Sequence, residues 1–155
     1  MIEAGQKAPD FDLPTDSGDN VKLSKLKGRP VVVYFYPKDD TSGCTKEAQA
    51  FSELTEQFKA LGARVIGISP DTAASHAKFR AKYDLTVDLA ADPDRKVIEA
   101  YGVWVEKSMY GRKYMGVDRS TFLVDATGKI ARVWRKVKVP GHATEVLEAV
   151  KALGS

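Results

Sequence analysis

Val31-Val32-Val33-Tyr34-Phe35-Tyr36-Pro37-Lys38-Asp39-Asp40-Thr41-Ser42-Gly43-Cys44-Thr45-Lys46-Glu47-Ala48 is the stretch on which the reading of this chain turns. Its first six residues are apolar on both alternating faces and β-branched at the start, the composition of a strand buried on both sides in the middle of a sheet. Pro37 stops that strand because it has no N–H to give to the ladder. Lys38 to Gly43 is a polar loop. From Thr45 the apolar spacing changes to that of a helix: Ala48, Phe51, Leu54, Phe58 and Leu61 fall on one side, with Lys46, Glu53, Glu56 and Lys59 outside. One helix is predicted up to Leu61, with Gly62 suited to the residue after its C-cap. Cys44, the only cysteine of the chain, falls in the first turn of this helix, at the end of a central strand.

Outward from this unit, the rest of the chain alternates in the same way. Upstream, Phe11 and Leu13, the turn residues Asp16-Ser17-Gly18-Asp19, and Val21 and Leu23 read as a short hairpin. Downstream, Arg64 to Ser69 is a second buried strand closed by Pro70. Asp71 or Thr72 can cap a helix reaching Tyr83. Val87 to Ala90 reads as a short strand, and Asp92-Pro93 as the start of a helix carrying Val97, Ile98 and Tyr101. The segment from Lys107 to Asp118 fits no period, and Met109, Tyr110, Tyr114 and Trp104 read as core or pocket wall. Ser120 to Val124, a turn at Asp125-Ala126-Thr127-Gly128 and Lys129 to Trp134 form a hairpin. Gly141 precedes a last helix with Val146, Leu147, Val150 and Leu153 on one face. Strands alternating with helices imply parallel pairing, and a closing hairpin implies an antiparallel edge. The expected fold is α/β and thioredoxin-like: a mixed central sheet of about five to seven strands, helices on both faces and an N-terminal β-hairpin.

The chain has 155 residues, which predicts one domain over 1–155. A domain of this size buries about 70% of its unfolded surface, enough for a core without staples. Hydrophobic residues make up 43% and charged residues 29%, ordinary values for a soluble globular protein. The net charge of +3 is spread along the chain, which argues against nucleic acid as a partner. Arg132, Arg135, Lys136 and Lys138 alternate with apolar residues and read as the solvated face of a strand. No run approaches the roughly 18 apolar residues of a membrane span, and Met1 to Gln6 carries no apolar leader core. One cysteine cannot form an internal disulfide, so the expected location is the cytoplasm. No cofactor or metal is called for: His76 and His142 lack ligand spacing, and no C-x-x-C is present.

A lone cysteine is ordinarily a small buried hydrophobe. Here its place in a first helical turn, where unpaired N–H groups and the dipole favour an anion, points to a reactive thiol. Ionisation alone explains little. A thiol with an ordinary pKa is roughly 3% thiolate at pH 7, so full ionisation raises its reactivity about thirty-fold, or about 2 kcal/mol. Enzymatic accelerations begin near a million-fold, about 8 kcal/mol. Other groups must stabilise the transition state.

The segment from Pro37 to Cys44 resembles the active-site motif of the peroxiredoxins: proline, a hydroxyl residue four on, and cysteine three further. Tyr34-Phe35-Tyr36 and Thr45-Lys46-Glu47-Ala48 look like the peroxiredoxin Q branch, also called bacterioferritin comigratory protein. So do Gly5 to Leu13, Tyr101-Gly102-Val103-Trp104, Met109-Tyr110-Gly111 and Arg119 to Asp125. The resemblance implies a thiol peroxidase acting on hydrogen peroxide and small organic hydroperoxides. It makes Cys44 the peroxidatic residue and Thr41 the hydroxyl that orients the peroxide. It makes Arg119 the cation beside the sulfur, held by Glu47, and Pro37 the residue that shapes and shields the loop. The N–H groups of Gly43 and Cys44 would bind the peroxide oxygens.

Many members of the branch carry a second cysteine five positions on, where this chain has Gln49, or on the next helix, where Asp71 to Asp84 has none. The sulfenic acid therefore needs an external reductant such as thioredoxin, glutaredoxin or glutathione, or else it accumulates. A monomer is expected, from the habit of the branch. The alternative reading is a redox-sensing or binding protein on the same fold.

Overall fold

In the computed structural model, residues 2–153 are described. Met1, Gly154 and Ser155, the outermost residues of the expected 1–155 domain, lie outside them. The elements in chain order are β1 (Asp12–Pro14), β2 (Asn20–Lys22), a 3-10 turn (Leu23–Leu26), β3 (Val31–Phe35), α1 (Ser42–Glu53), α2 (Thr55–Ala60), β4 (Arg64–Ser69), α3 (Ala73–Tyr83), β5 (Asp88–Ala91), α4 (Lys96–Ala100), β6 (Trp104–Met109), β7 (Arg112–Val117), β8 (Ser120–Val124), β9 (Ile130–Trp134) and α5 (His142–Leu153).

The central sheet has five strands in the order β5-β4-β3-β8-β9. β3 pairs parallel with β4, β4 parallel with β5, and β8 runs antiparallel to both β3 and β9. The chain is therefore the expected mixed α/β, thioredoxin-like fold, with its N-terminal hairpin β1–β2. β3 is buried at every residue and divides the core by its period of two. Val31, Val33 and Phe35 face a layer with Leu13, Val21, Ile98, Tyr101 and Phe122. Val32, Tyr34 and Tyr36 face the opposite layer, with Phe51 and Phe58 of α1 and α2, Phe79 of α3, and Val146, Leu147 and Val150 of α5. Each large apolar side chain taken fully out of water contributes about 1.5–3 kcal/mol. A strand that feeds two such layers is accordingly the hardest to displace.

Three elements depart from the expected reading. The single helix to Leu61 is broken at Leu54, where the Phe51 carbonyl accepts from the Leu54 N–H and from the Thr55 hydroxyl. A threonine hydroxyl competing for a helix carbonyl in this way interrupts the ladder. The helix expected at Asp92-Pro93 starts only at Lys96, with the Asp92 carboxylate accepting from the Ile98 N–H. The unassigned segment is the antiparallel hairpin β6–β7, with Lys107 opposite Tyr114 and Trp104 opposite Val117. Its Met109, Tyr110 and Tyr114 are exposed, Tyr110 at 98%. The core reading of these three residues is thus overturned, because only the base of the hairpin, at Val117 and Trp104, packs on the core, and a two-stranded sheet has no interior of its own to bury the rest in.

Candidate active site

Register decides where the site forms. β8 runs antiparallel to β3 with Ser120 opposite Phe35 and Val124 opposite Val31. Arg119 therefore lies at the end of β3 from which the chain leaves toward α1. That loop turns through Asp40 in the left-handed region (φ 59°), and α1 begins at Ser42. Cys44 is the third helical residue, and the first intrahelical bond runs from the Thr45 N–H to the Thr41 carbonyl at 2.9 Å. The N–H groups of Ser42, Gly43 and Cys44 precede that bond and are the unpaired donors of the helix start.

Cys44 is 1% exposed. Its sulfur accepts from Arg119 Nη2 at 3.2 Å, across 75 residues of sequence. The other terminal nitrogen, Nη1, donates to Glu47 Oε1 at 2.6 Å. Glu47 lies three residues after Cys44 and so shares its face of α1. The guanidinium is thus held by a carboxylate on one arm and faces the sulfur with the other. Gly43 permits the approach: a Cβ there would stand 3.2 Å from Arg119 Nη2. Burial pushes the Glu47 carboxyl up to about 7, against the charge and hydrogen bond of Arg119. Its second oxygen, Oε2, is buried with no partner.

Of the six residues picked from sequence, Cys44, Arg119, Glu47 and Gly43 come together. Thr41 takes the N-cap position, but its side chain makes no cap bond; its hydroxyl donates to the Lys38 carbonyl at 2.8 Å. With the hydrogen so placed, the oxygen keeps lone pairs free to accept a peroxide hydroxyl. Pro37 is half-buried where the loop leaves β3.

The sequence reading missed what holds the loop. Asp39 Oδ1 accepts from the Tyr36 hydroxyl at 2.7 Å, and Oδ2 from Ser75 Oγ at 2.7 Å. His76 Nδ1 lies 2.8 Å from Asp39 Oδ2, and its Nε2 lies 3.1 Å from the Ala90 carbonyl. The Asp39 N–H donates to Asp71 Oδ2 at 2.8 Å. Asp40 takes Lys82 at 2.7 Å and also accepts from the Tyr83 hydroxyl. Asp39 and Asp40 thus tie the loop to α3, and Asp39 also to Asp71 just before it. His76 is fully buried, and nothing in the spacing of α3 marks it out. His142 also proves structural: its Nε2 meets Thr121 Oγ1 at 2.8 Å, and burial holds the ring down at about 4.

Residues 4–133 match the AhpC/TSA family. The chain belongs to that family. Within it the similarity is to the peroxiredoxin Q branch. The peroxiredoxin Bcp of Bacillus subtilis is 49% identical over 150 residues, covering 97% of this chain and 96% of that one. A cysteine mutant of Xylella fastidiosa peroxiredoxin Q superposes with a TM-score of 0.94 at 38% identity, covering 100% and 99% of the two chains. The bacterioferritin comigratory protein of Xanthomonas campestris gives 0.92 at 39% identity over 99% and 100%. This peroxiredoxin is a thiol peroxidase with one cysteine, which uses a peroxide and an external thiol reductant. Among the described residues, no helix is long and apolar enough to cross a membrane.

Proposed function

We propose that Cys44 is the peroxidatic residue of a one-cysteine cycle in a single-domain, cytoplasmic, monomeric enzyme. The observation that carries this reading is Arg119, clamped by Glu47 at 2.6 Å and presented to the sulfur at 3.2 Å. The Cys44 thiolate attacks the terminal oxygen of the peroxide, the O–O bond breaks, and a sulfenic acid forms as the second oxygen departs with the electron pair. As that bond stretches, charge moves from sulfur toward the oxygens. The guanidinium and the free N–H groups of Gly43 and Cys44 are already in place to follow it, with no reorganisation at the moment of reaction. Thr41 accepts from the peroxide hydroxyl and fixes its approach. Pro37 narrows the mouth of the loop against water.

The substrates are hydrogen peroxide and small organic hydroperoxides. Alkyl peroxide reduction is the activity associated with the Xanthomonas campestris relative, and the exposed mouth at Thr41 sets no polar demand on the far end of the substrate. The sulfenic acid returns to thiol by two attacks of an external thiol, supplied by thioredoxin, glutaredoxin or glutathione. Stopped-flow consumption of hydrogen peroxide tests the reading. The wild type should react far faster than free cysteine thiolate, Cys44→Ser should not react, and Arg119→Ala should be slower by about 10²–10³-fold. An Arg119→Ala rate equal to wild type would remove the cation from the mechanism.

A further inference from the structure

The β6–β7 hairpin carries exposed apolar side chains that the peroxide site does not use. Its base is fixed: Val117 is buried in the core and Trp104 packs against it. From there the paired strands run to a two-residue turn at Tyr110-Gly111, a reach of roughly 20 Å. Both turn residues have positive φ, Tyr110 at 52° and Gly111 at 78°. That is type I′ geometry, in which Asn or Asp usually takes the first place. A bulky ring there is strained, and the molecule gives it nothing in return. Tyr110 is 98% exposed, and among the described residues it makes no hydrogen bond or ring contact.

Met109 is 56% exposed, Met115 50% and Tyr114 44%. Paired residues share a face of a ladder, and neighbours along a strand take opposite faces. Met109 and Tyr114 therefore stand on one face with Arg112, and Met115 on the other with Lys113. With Tyr110 at the apex, the outer part of the hairpin is apolar all round. A globular partner docked on one face would leave the other face's methionine in water, whereas a medium that surrounds the hairpin covers every one. Met115 is the farthest of the four from the apex, roughly 10 Å along the strand. The apolar zone thus matches the roughly 5–10 Å to which an interfacial segment sinks into a bilayer.

Charge narrows the medium further. Arg112 and Lys113 are exposed, one on each face, and the only carboxylate on either strand is Glu106. Lys113 is opposite Ser108 in the ladder, yet its Nζ lies 3.7 Å from Glu106 Oε1. Its stem therefore leans away from the apex toward the base. That is the posture of a lysine whose stem lies among acyl chains while its head stays at the lipid phosphates. Arg112 meets no carboxylate among the described residues, and a guanidinium takes a phosphate bidentately.

We propose that the β6–β7 hairpin is a membrane-surface finger. It inserts Met109, Tyr110, Tyr114 and Met115 at the headgroup–acyl boundary of an anionic bilayer, with Arg112 and Lys113 on the lipid phosphates. The binding is peripheral and reversible, since four side chains and two charges fall far short of a spanning segment.

The inference is independent of the peroxidase reading, because it is read by binding. The full chain is sedimented with vesicles of phosphatidylcholine alone, and with vesicles of phosphatidylcholine and phosphatidylglycerol in equal parts. Wild type should pellet with the anionic vesicles and not with the neutral ones, and added salt should release it. The double variant Met109→Ser, Tyr110→Ser removes the insertion, and the double variant Arg112→Gln, Lys113→Gln removes the charge. Each should weaken the partition by about tenfold or more. All four positions are exposed, so thermal melts and the rate with hydrogen peroxide in solution should match wild type. Tyr110→Trp should add an emission that moves to shorter wavelength with anionic vesicles only. Wild type that stays in the supernatant with anionic vesicles overturns the proposal. Pelleting undiminished in Met109→Ser, Tyr110→Ser also overturns it, by placing the contact on another basic face. If vesicles do not bind, and that variant instead dissolves a dimer in light scattering or slows turnover with thioredoxin, the finger takes a second copy or the protein reductant, and the lipid proposal falls.

Discussion

Glu47 is pulled in two directions. One oxygen meets a guanidinium at 2.6 Å, and the other is buried without a partner. An arginine at that distance ordinarily lowers a carboxyl. Here burial wins and carries the group from 4.5 up to about 7. A folded-state value above the unfolded one means that the native protein holds the extra proton. The associated stability is complete below about pH 4.5 and is lost as pH rises through about 7. Glu47→Gln keeps an oxygen for Arg119 and removes the titration. Urea unfolding over a pH series should therefore show wild type falling relative to Glu47→Gln by about 2–3 kcal/mol between about pH 5 and pH 8. Parallel curves would mean that Arg119, not burial, sets the charge of Glu47. Glu47 itself was readable in the sequence, because its spacing from Cys44 fixes the shared helix face. The orphaned oxygen was not, because it depends on packing between elements distant in sequence.

Among the elements, the sequence carried those whose side chains answer to one period. β3 and β4 are runs without polar interruption, and both came out within one residue of their bounds. The hairpin β6–β7 escaped because its segment fits no period: Met109, Tyr110 and Tyr114, read as core or pocket wall, are exposed there, so no buried face imposes an alternation. The loop from Pro37 to Thr41 was readable as a loop but not as an anchored one. Its hold on α3 runs through Asp39 and His76, which are 37 residues apart and unmarked by any spacing. Both ring nitrogens of His76 meet acceptors, Asp39 on one side and the Ala90 carbonyl on the other. His76→Leu fills the volume but takes from Asp39 one of its three side-chain partners, leaving Tyr36 and Ser75, a loss of about 1–3 kcal/mol. Denaturant unfolding should show that loss. The peroxide rate should fall as well, because the loop that carries Thr41 is no longer pinned. A variant as unstable as expected but with an unchanged peroxide rate would show that α3 supports the fold and not the site.

At the scale of the whole molecule, one count governs the cycle. The chain has a single cysteine, so no disulfide can close within it. That fact was readable from composition, whereas the partner that arms the thiol, Arg119, could be located only by resemblance until the β3–β8 register placed it. Gln49, at the position where relatives of this branch can carry the second thiol, lies on the same folded helix as Cys44, half-buried. Residues five apart on a helix are separated by about 7.5 Å of rise, beyond what a disulfide spans without unwinding. With Cys44 only 1% exposed and no internal thiol to intercept it, the sulfenic acid waits for a reductant or for another peroxide. Intact-mass measurement follows the outcome directly. One equivalent of hydrogen peroxide without thiol should add one oxygen atom, and excess peroxide should add a second as the sulfinic acid forms. Non-reducing electrophoresis should show no compacted, internally bridged monomer. Added thiol should restore the starting mass after the first oxygen but not after the second. Sustained peroxide consumption with no thiol present would contradict a one-cysteine cycle, since it would require a source of electrons that a single sulfur does not provide.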